Sequence, residues 1–212
     1  MKPAERRDAF DRARLYLVVP GDFPLDVLGA VIEAGVDVVQ LRMKDAEASE
    51  IIEVADQMQG ACEDAGVPFV LNDRPDVALA LAADGVHLGQ DDLSPLVARE
   101  ILGPDVIIGR STHSTDDITR ALQEHDDGLA DYIAVGPVDE TPTKPGRPGV
   151  GLDLIGHASK VVTFPWFAIG GINTQTLSNV VEAGASRIVV VRAIVESEDP
   201  VRAASELKGE LA

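Results

Sequence analysis

Three polar side chains, Gln40, Arg42 and Lys44, stand at alternate positions where an apolar run from Val36 ends. On an extended strand, side chains two apart share a face, so Gln40 and Arg42 point together and Lys44 continues from the strand's end. A guanidinium and an amide facing inward suit a phosphate-bearing ligand. The plainer alternative is an ion pair with an acid on the next strand. Two carboxylate sites follow, at Asn72-Asp73 and in Gly89-Gln90-Asp91-Asp92. Two carboxylates beside a phosphate pocket are a sufficient protein contribution to Mg2+, which takes its remaining ligands from water and phosphate oxygens. Spacing alone leaves Asp91 and Asp92 equivalent, and both also suit a turn or helix cap before Ser94-Pro95.

Further along, Ser111 and its neighbours in Gly109–Ser114 offer hydroxyls and backbone amides to an anion, or simple helix capping by Ser114. Thr141, Thr143 and Lys144 lie in a loop stiffened by Pro137, Pro142 and Pro145, which reads as a pre-organised anion site. Gly170-Gly171 and the segment Val190-Val191-Arg192 supply two halves of a phosphate cradle. His113 reads first as a capping or packing residue and His87 as a satisfied core or lumen residue.

The elements that must position these groups are a short β-branched run and a longer amphipathic stretch, repeated along the chain. Eight such runs begin at Leu15, Val36, Pro68, Gly85, Val106, Asp131, Trp166 and Arg187. Helices are expected from Pro24, Ser49, Pro75, Ser94, Ser114, Asp153 and Thr174, with a last one from about Pro200. Eight alternations fit a closed (β/α)8 TIM barrel or an open doubly wound sheet. Closure is favoured, since no G-x-G-x-x-G follows the first run and the polar candidates sit after nearly every strand. The expected organisation is an N-terminal arm or short helix over residues 1–14 and one barrel domain over 15–212.

With 36 acidic and 18 basic residues, the formal net charge of -18 repels nucleic acid and anionic lipid. Lysine occurs only at positions 2, 44, 144, 160 and 208, and this acidic, lysine-poor balance suggests a salt-adapted protein. The single cysteine, Cys62, falls in a helical stretch and reads as inert core in a reducing compartment. The charged N-terminus lacks an apolar leader segment, and no 18 apolar residues run together. A soluble cytoplasmic protein acting on small-molecule substrates is expected, and a homo-oligomer is compatible with all of this.

Taken together, the segments QLRMK, LNDRPDVALALAADGVHLGQDD, IGRSTHS, VGPVDETPTK, AIGGI and VVVRAI resemble, in order and spacing, those of thiamine-phosphate synthases, from about Tyr16 to Ile194. The resemblance implies a (β/α)8 barrel that couples a hydroxymethylpyrimidine diphosphate to a thiazole phosphate and releases pyrophosphate. It implies that Gln40, Arg42, Lys44, Asn72, Ser111 and Lys144 bind the pyrimidine diphosphate. Asp73 and Asp92 would hold Mg2+, and Thr141, Thr143, Gly171, Val191 and Arg192 would receive the thiazole phosphate. Many relatives carry serine where Arg192 stands, so a side-chain hydroxyl contact there would be lost and a backbone contact kept. Two other readings remain: a thiazole tautomerase with His113 as acid or base, and a non-catalytic barrel that binds thiamine precursors.

Overall fold

Every strand of the protein pairs in parallel with the next, and the last returns to the first. In a computed structural model, residues 1–140 and 148–211 are described, and β1 (Leu15–Val19), β2 (Val38–Leu41), β3 (Phe69–Asn72), β4 (Gly85–Leu88), β5 (Ile107–Thr112), β6 (Tyr132–Val135), β7 (Trp166–Ile169) and β8 (Ile188–Val190) close into a barrel. Closure is made by Tyr16 aligned with Val189 and Leu17 with Val190. All eight expected strands are present, at the expected places.

Around them run α2 (Leu25–Glu33), α3 (Ala48–Ala65), α4 (Pro75–Leu81), α5 (Pro95–Leu102), α6 (Thr115–Asp126), α7 (Gly151–Val161), α8 (Leu177–Glu182), α9 (Arg192–Val195) and α10 (Pro200–Glu210), after an N-terminal α1 (Pro3–Arg12). Side-chain caps hold α5 and α6 where expected, since Ser94 and Ser114 each accept a backbone N–H of the first turn. Helix α8 starts three residues later than the sequence suggests. The Asn173 side chain accepts the N–H groups of Gln175 and Thr176 at 2.8 and 3.2 Å, and the Thr176 N–H also donates to the Asn173 carbonyl at 3.1 Å, so residues 174–176 form a tight capped turn before the helix. Helix α7 begins at Gly151 rather than Asp153, and α9, a single turn, was not expected. No helix among the described residues is long and apolar enough to cross a membrane.

Strand alternation sorts the core into two shells. Leu17, Val39, Leu41, Leu71, Val86, Ile108, Ile133 and Val190 face the helices, while Tyr16, Val38, Val70, Ile107, Tyr132, Phe167 and Val189 fill the lumen. Cys62 belongs to the outer shell, where burial pushes its thiol up to about 12, as an inert core residue requires. Helix α1 closes the lumen from below. Its Phe10 ring meets Tyr132 at 4.6 Å and Phe167 at 5.7 Å between centroids.

Three aspartates tie the lower ends of the strands. Asp37, Asp84 and Asp131 accept the backbone N–H groups of Leu15, Phe69 and Ile108, and each is matched by a base. Lys208 reaches Asp37, Arg6 reaches Asp84 at 2.8 Å, and Arg7 and Arg99 both reach Asp131 at 2.7 Å. The Arg6–Asp84 pair is the most enclosed of these, with side chains 9% and 10% exposed. Arg6→Met leaves the buried Asp84 carboxylate with only the Phe69 N–H and the N-terminal ammonium, 3.8 Å away, so it should cost about 3 kcal/mol in urea unfolding. The pair lies at the end of the barrel away from the polar strand termini, so kcat of the folded variant should stay at the wild-type value.

Candidate active site

Above the aromatic floor the lumen opens toward the C-terminal strand ends, forming a cavity of about 310 Å³. Its wall carries Gln40, Arg42, Asn72, His87, Ser111 and His113 on one side, and Gly170–Asn173 and Val189–Ala193 on the other. In a (β/α)8 barrel this end is where the loops that do chemistry converge.

Strand parity explains which groups reach the cavity. Gln40 and Asn72 are the last inward residues of β2 and β3, and the Gln40 amide donates to Asn72 Oδ1 at 2.9 Å. Tyr16 donates its hydroxyl to Gln40 Oε1 at 3.0 Å and lies 3.0 Å from the Tyr132 hydroxyl. The chain continues from Tyr132 to His87 Nδ1, and from His87 Nε2 to Ser111 Oγ, each at 2.9 Å. One hydrogen per hydroxyl gives the chain a direction, and it locks the two amides and Ser111 in fixed orientations. Tyr132 fits only because Gly109 faces it, since a Cβ there would lie 2.0 Å from the ring. His87 is the satisfied lumen residue expected of it. The Nδ2 of Asn72 is buried with no protein partner and sits in the cavity wall, a donor left for a ligand.

At the rim, Asp73 follows β3 with φ of 63°, a conformation aspartate tolerates better than most side chains, and its N–H donates to His87 O at 2.8 Å. This turn aims the Asp73 carboxyl at Asp92, whose Oδ2 accepts Gly89 N–H at 2.6 Å. Burial and the hydrogen-bonded neighbour Asp92 push the Asp73 carboxyl up to about 6, against the opposing pull of Arg42 and Lys44. Arg42 Nη1 stands 3.9 Å from Asp73 Oδ2. Lys44 is exposed beside it, and Asp91 is exposed where Asp92 is half-buried. Two carboxylates pressed together under basic side chains are a site that a divalent cation relieves. Among the described residues no cluster of three His, Cys, Asp or Glu is suited to a metal, so the rest of its coordination would come from water and substrate, as Mg2+ tolerates.

Across the cavity, Gly170 and Gly171 take φ of 103° and 73°, and a Cβ on either would strike Pro137 or Asp139. The backbone of the glycine loop therefore lies open to the cavity without side chains in the way. Val191 caps the single turn of α9, and Arg192, its first residue, is exposed at the rim. His113 contacts the Gly136 carbonyl through Nδ1 while its backbone N–H donates to Asp117 at 3.0 Å, so the packing role expected of it is present. Thr141, Thr143 and Lys144 lie outside the described residues.

The sequence reading omitted two features of this site. Tyr16 and Tyr132 carry no assigned role in the sequence, although inward parity with Gln40 places their hydroxyls in the lumen. Arg110 lies within the Gly109–Ser114 segment, but strand alternation turns it away from the lumen that Ser111 faces.

A closed barrel with a basic, carboxylate-bearing mouth defines the class of protein as a (β/α)8-barrel enzyme. The family model described as thiamine monophosphate synthase matches residues 15–194. The thiamine-phosphate synthase of Acidothermus cellulolyticus is 50% identical over 206 residues, spanning 94% of this chain and 95% of its own. That of Thermus thermophilus is 50% identical over 205 residues, spanning 93% and 97%. Among solved structures, a thiamine phosphate pyrophosphorylase from Pyrococcus furiosus superposes with a TM-score of 0.84 at 32% identity, over 95% of this chain and 96% of that one. A 3-hexulose-6-phosphate synthase superposes at 0.68 with 21% identity, over 94% and 100%, a likeness of fold alone. The chain belongs to the thiamine monophosphate synthase family, whose members are transferases.

Proposed function

We propose that the protein joins 4-amino-2-methyl-5-(diphosphooxymethyl)pyrimidine to a thiazole phosphate or its carboxylated form, giving thiamine phosphate and pyrophosphate, with CO2 released as well when the carboxylated form is used. The observation that carries this reading is the Asp73–Asp92 pair beside Arg42, set over a lumen lined by Gln40, Asn72 and Ser111. In this reading the pyrimidine enters the lumen, held by the Gln40 and Asn72 amides. Its diphosphate lies toward the rim, above Ser111 and against Arg42 and Lys44, and Lys144 would add a further charge. Asp73 and Asp92 would hold Mg2+, which supplies positive charge to the departing diphosphate.

The carbon–oxygen bond at the pyrimidine methylene breaks and its electron pair leaves with pyrophosphate. The amino group on the ring delocalises the positive charge left on the methylene. The thiazole nitrogen then donates its lone pair to that carbon. Gly171, Val191 and Arg192, with Thr141 and Thr143, would seat the thiazole phosphate so that nitrogen and methylene meet. Arg42, Lys44 and Lys144 act by neutralising charge as it develops, so neither a protein nucleophile nor a base is required.

Incubating both substrates with and without Mg2+, and measuring thiamine phosphate and pyrophosphate in equal amounts, tests the proposal. Coupling that depends on Mg2+ is the expected result. Isomerisation of the thiazole without coupling would instead favour a tautomerase using His113, and binding without turnover a precursor-binding barrel.

A further inference from the structure

Among the described residues, Arg110 is the one charged side chain of the barrel strands that faces away from the lumen and is still buried. It lies between Gly109 and Ser111 on β5, opposite Leu88 of β4, with a side chain only 8% exposed. Its Nη1 donates to the Gly89 carbonyl, and its Nη2 approaches Gln90 Oε1 at 3.4 Å. Gln90 is held a second time by Arg120 on α6, at 3.1 Å. Behind the guanidinium stands Glu124 of α6, with Oε2 3.7 Å from Arg110 Nε. Both atoms are buried without a hydrogen bond, so the attraction between the charges is what keeps them together.

What Arg110 grips matters more than that it is buried. The same Gly89 whose carbonyl it holds donates its N–H to Asp92 Oδ2 at 2.6 Å. A side chain there would displace the Asp92 carboxylate, since a Cβ on Gly89 would lie 2.7 Å from that oxygen. Gly89 is thus held through its carbonyl by a guanidinium and through its N–H by the carboxylate that faces Asp73. We infer that Arg110 is a positioning residue, which fixes the Gly89–Asp92 segment from outside the barrel so that Asp92 is presented to a divalent cation shared with Asp73. It touches neither substrate nor cation. Its influence passes through one residue, Gly89, and Glu124 serves to keep it in place.

The inference rests on the cation reading of Asp73 and Asp92, and the test separates the two. Removing Arg110 alone strands Glu124 in the interior, so the informative variant is Arg110→Met with Glu124→Leu, which removes the pair together. Mn2+ binding to wild type and variant, read by electron paramagnetic resonance in the presence of pyrophosphate, should show at least a tenfold weaker Kd in the double variant. Its circular dichroism should match wild type. In turnover assays the half-saturating Mg2+ concentration should rise while kcat at saturating Mg2+ stays close to wild type, a split that general loosening of the fold does not produce. Arg110→Lys, which keeps a donor for the Gly89 carbonyl and a charge for Glu124, should recover most of the affinity. A double variant that binds Mn2+ as tightly as wild type overturns the inference. Should wild type itself bind no Mn2+, the cation reading fails instead. Amide hydrogen exchange at Gly89–Asp92 then decides the positioning role by itself, and protection unchanged in the double variant overturns it.

Discussion

Asp73→Asn should reduce coupling by at least a hundredfold and leave the barrel folded. Asparagine is the informative replacement, because Asp73 has φ of 63° and asparagine accepts that conformation, whereas alanine there adds strain of its own. The amide cannot ligate a cation with a charge, and loss of one group that neutralises charge developing in a transition state typically costs 10²–10³-fold. The same substitution should raise the melting temperature of the cation-free protein at neutral pH by about 3 °C.

The sign of that gain follows from the Asp73 carboxyl, which is pushed up to about 6 from its ordinary 3.8. Between those two pH values the unfolded chain has already lost the proton that the folded chain keeps. The contribution of Asp73 to the stability of the cation-free protein is therefore greatest below 3.8, falls as pH rises toward 6, and stays at its lower level above it. Asparagine has no proton to lose and avoids the fall. Cation binding carries the opposite dependence. Below about pH 6 Mg2+ must displace the proton on Asp73, so its apparent affinity should drop about tenfold per pH unit, as calorimetric titrations from pH 7 to 5 would register. A pH-independent Mg2+ affinity would sink the assignment of Asp73 as a ligand.

Arg42→Met is expected to have the next largest effect, about 10²-fold in kcat/KM, by removing one of the charges over the leaving diphosphate. Arg42 also lowers the Asp73 carboxyl from 3.9 Å away, so its loss lets that carboxyl rise further. The acid limb of the pH–rate profile should accordingly move to higher pH in the variant. A profile that falls uniformly, with its acid limb unmoved, would show that Arg42 does not act on Asp73.

Much of the site was legible because a strand repeats every two residues. Once Leu41 is assigned outward, Gln40 and Arg42 must face inward; the register aligns Gln40 with Val70, so Asn72 stands one inward position further up β3, within reach of the Gln40 amide. The pairing of Asp92, rather than Asp91, with Asp73 was not legible from spacing, because it depends on the turn that the Gly89 amide imposes. Arg110 escaped notice for a related reason. Its partner Glu124 is fourteen residues away on a helix, and only the packing of α6 on β5 joins them. The role of α1 was equally hidden, since PAERRDAFDR has one aromatic residue and nothing in its pattern says that Phe10 packs against rings as far along the chain as Tyr132 and Phe167. The start of α8 was missed because residues 174–176 form a tight turn capped by Asn173, which helix periodicity does not distinguish from a first helical turn.

Phe10 turns the barrel into a well with a floor. A molecule lodged against Gln40 and Asn72 sits below one seated across Gly171 and Val191, and both use the same mouth. The deeper molecule would have to arrive first, and one occupying the rim alone would block the way down. Turnover would then follow a compulsory order, with excess of the rim ligand acting as a brake, a kinetic asymmetry that originates in one phenylalanine at the opposite end of the protein.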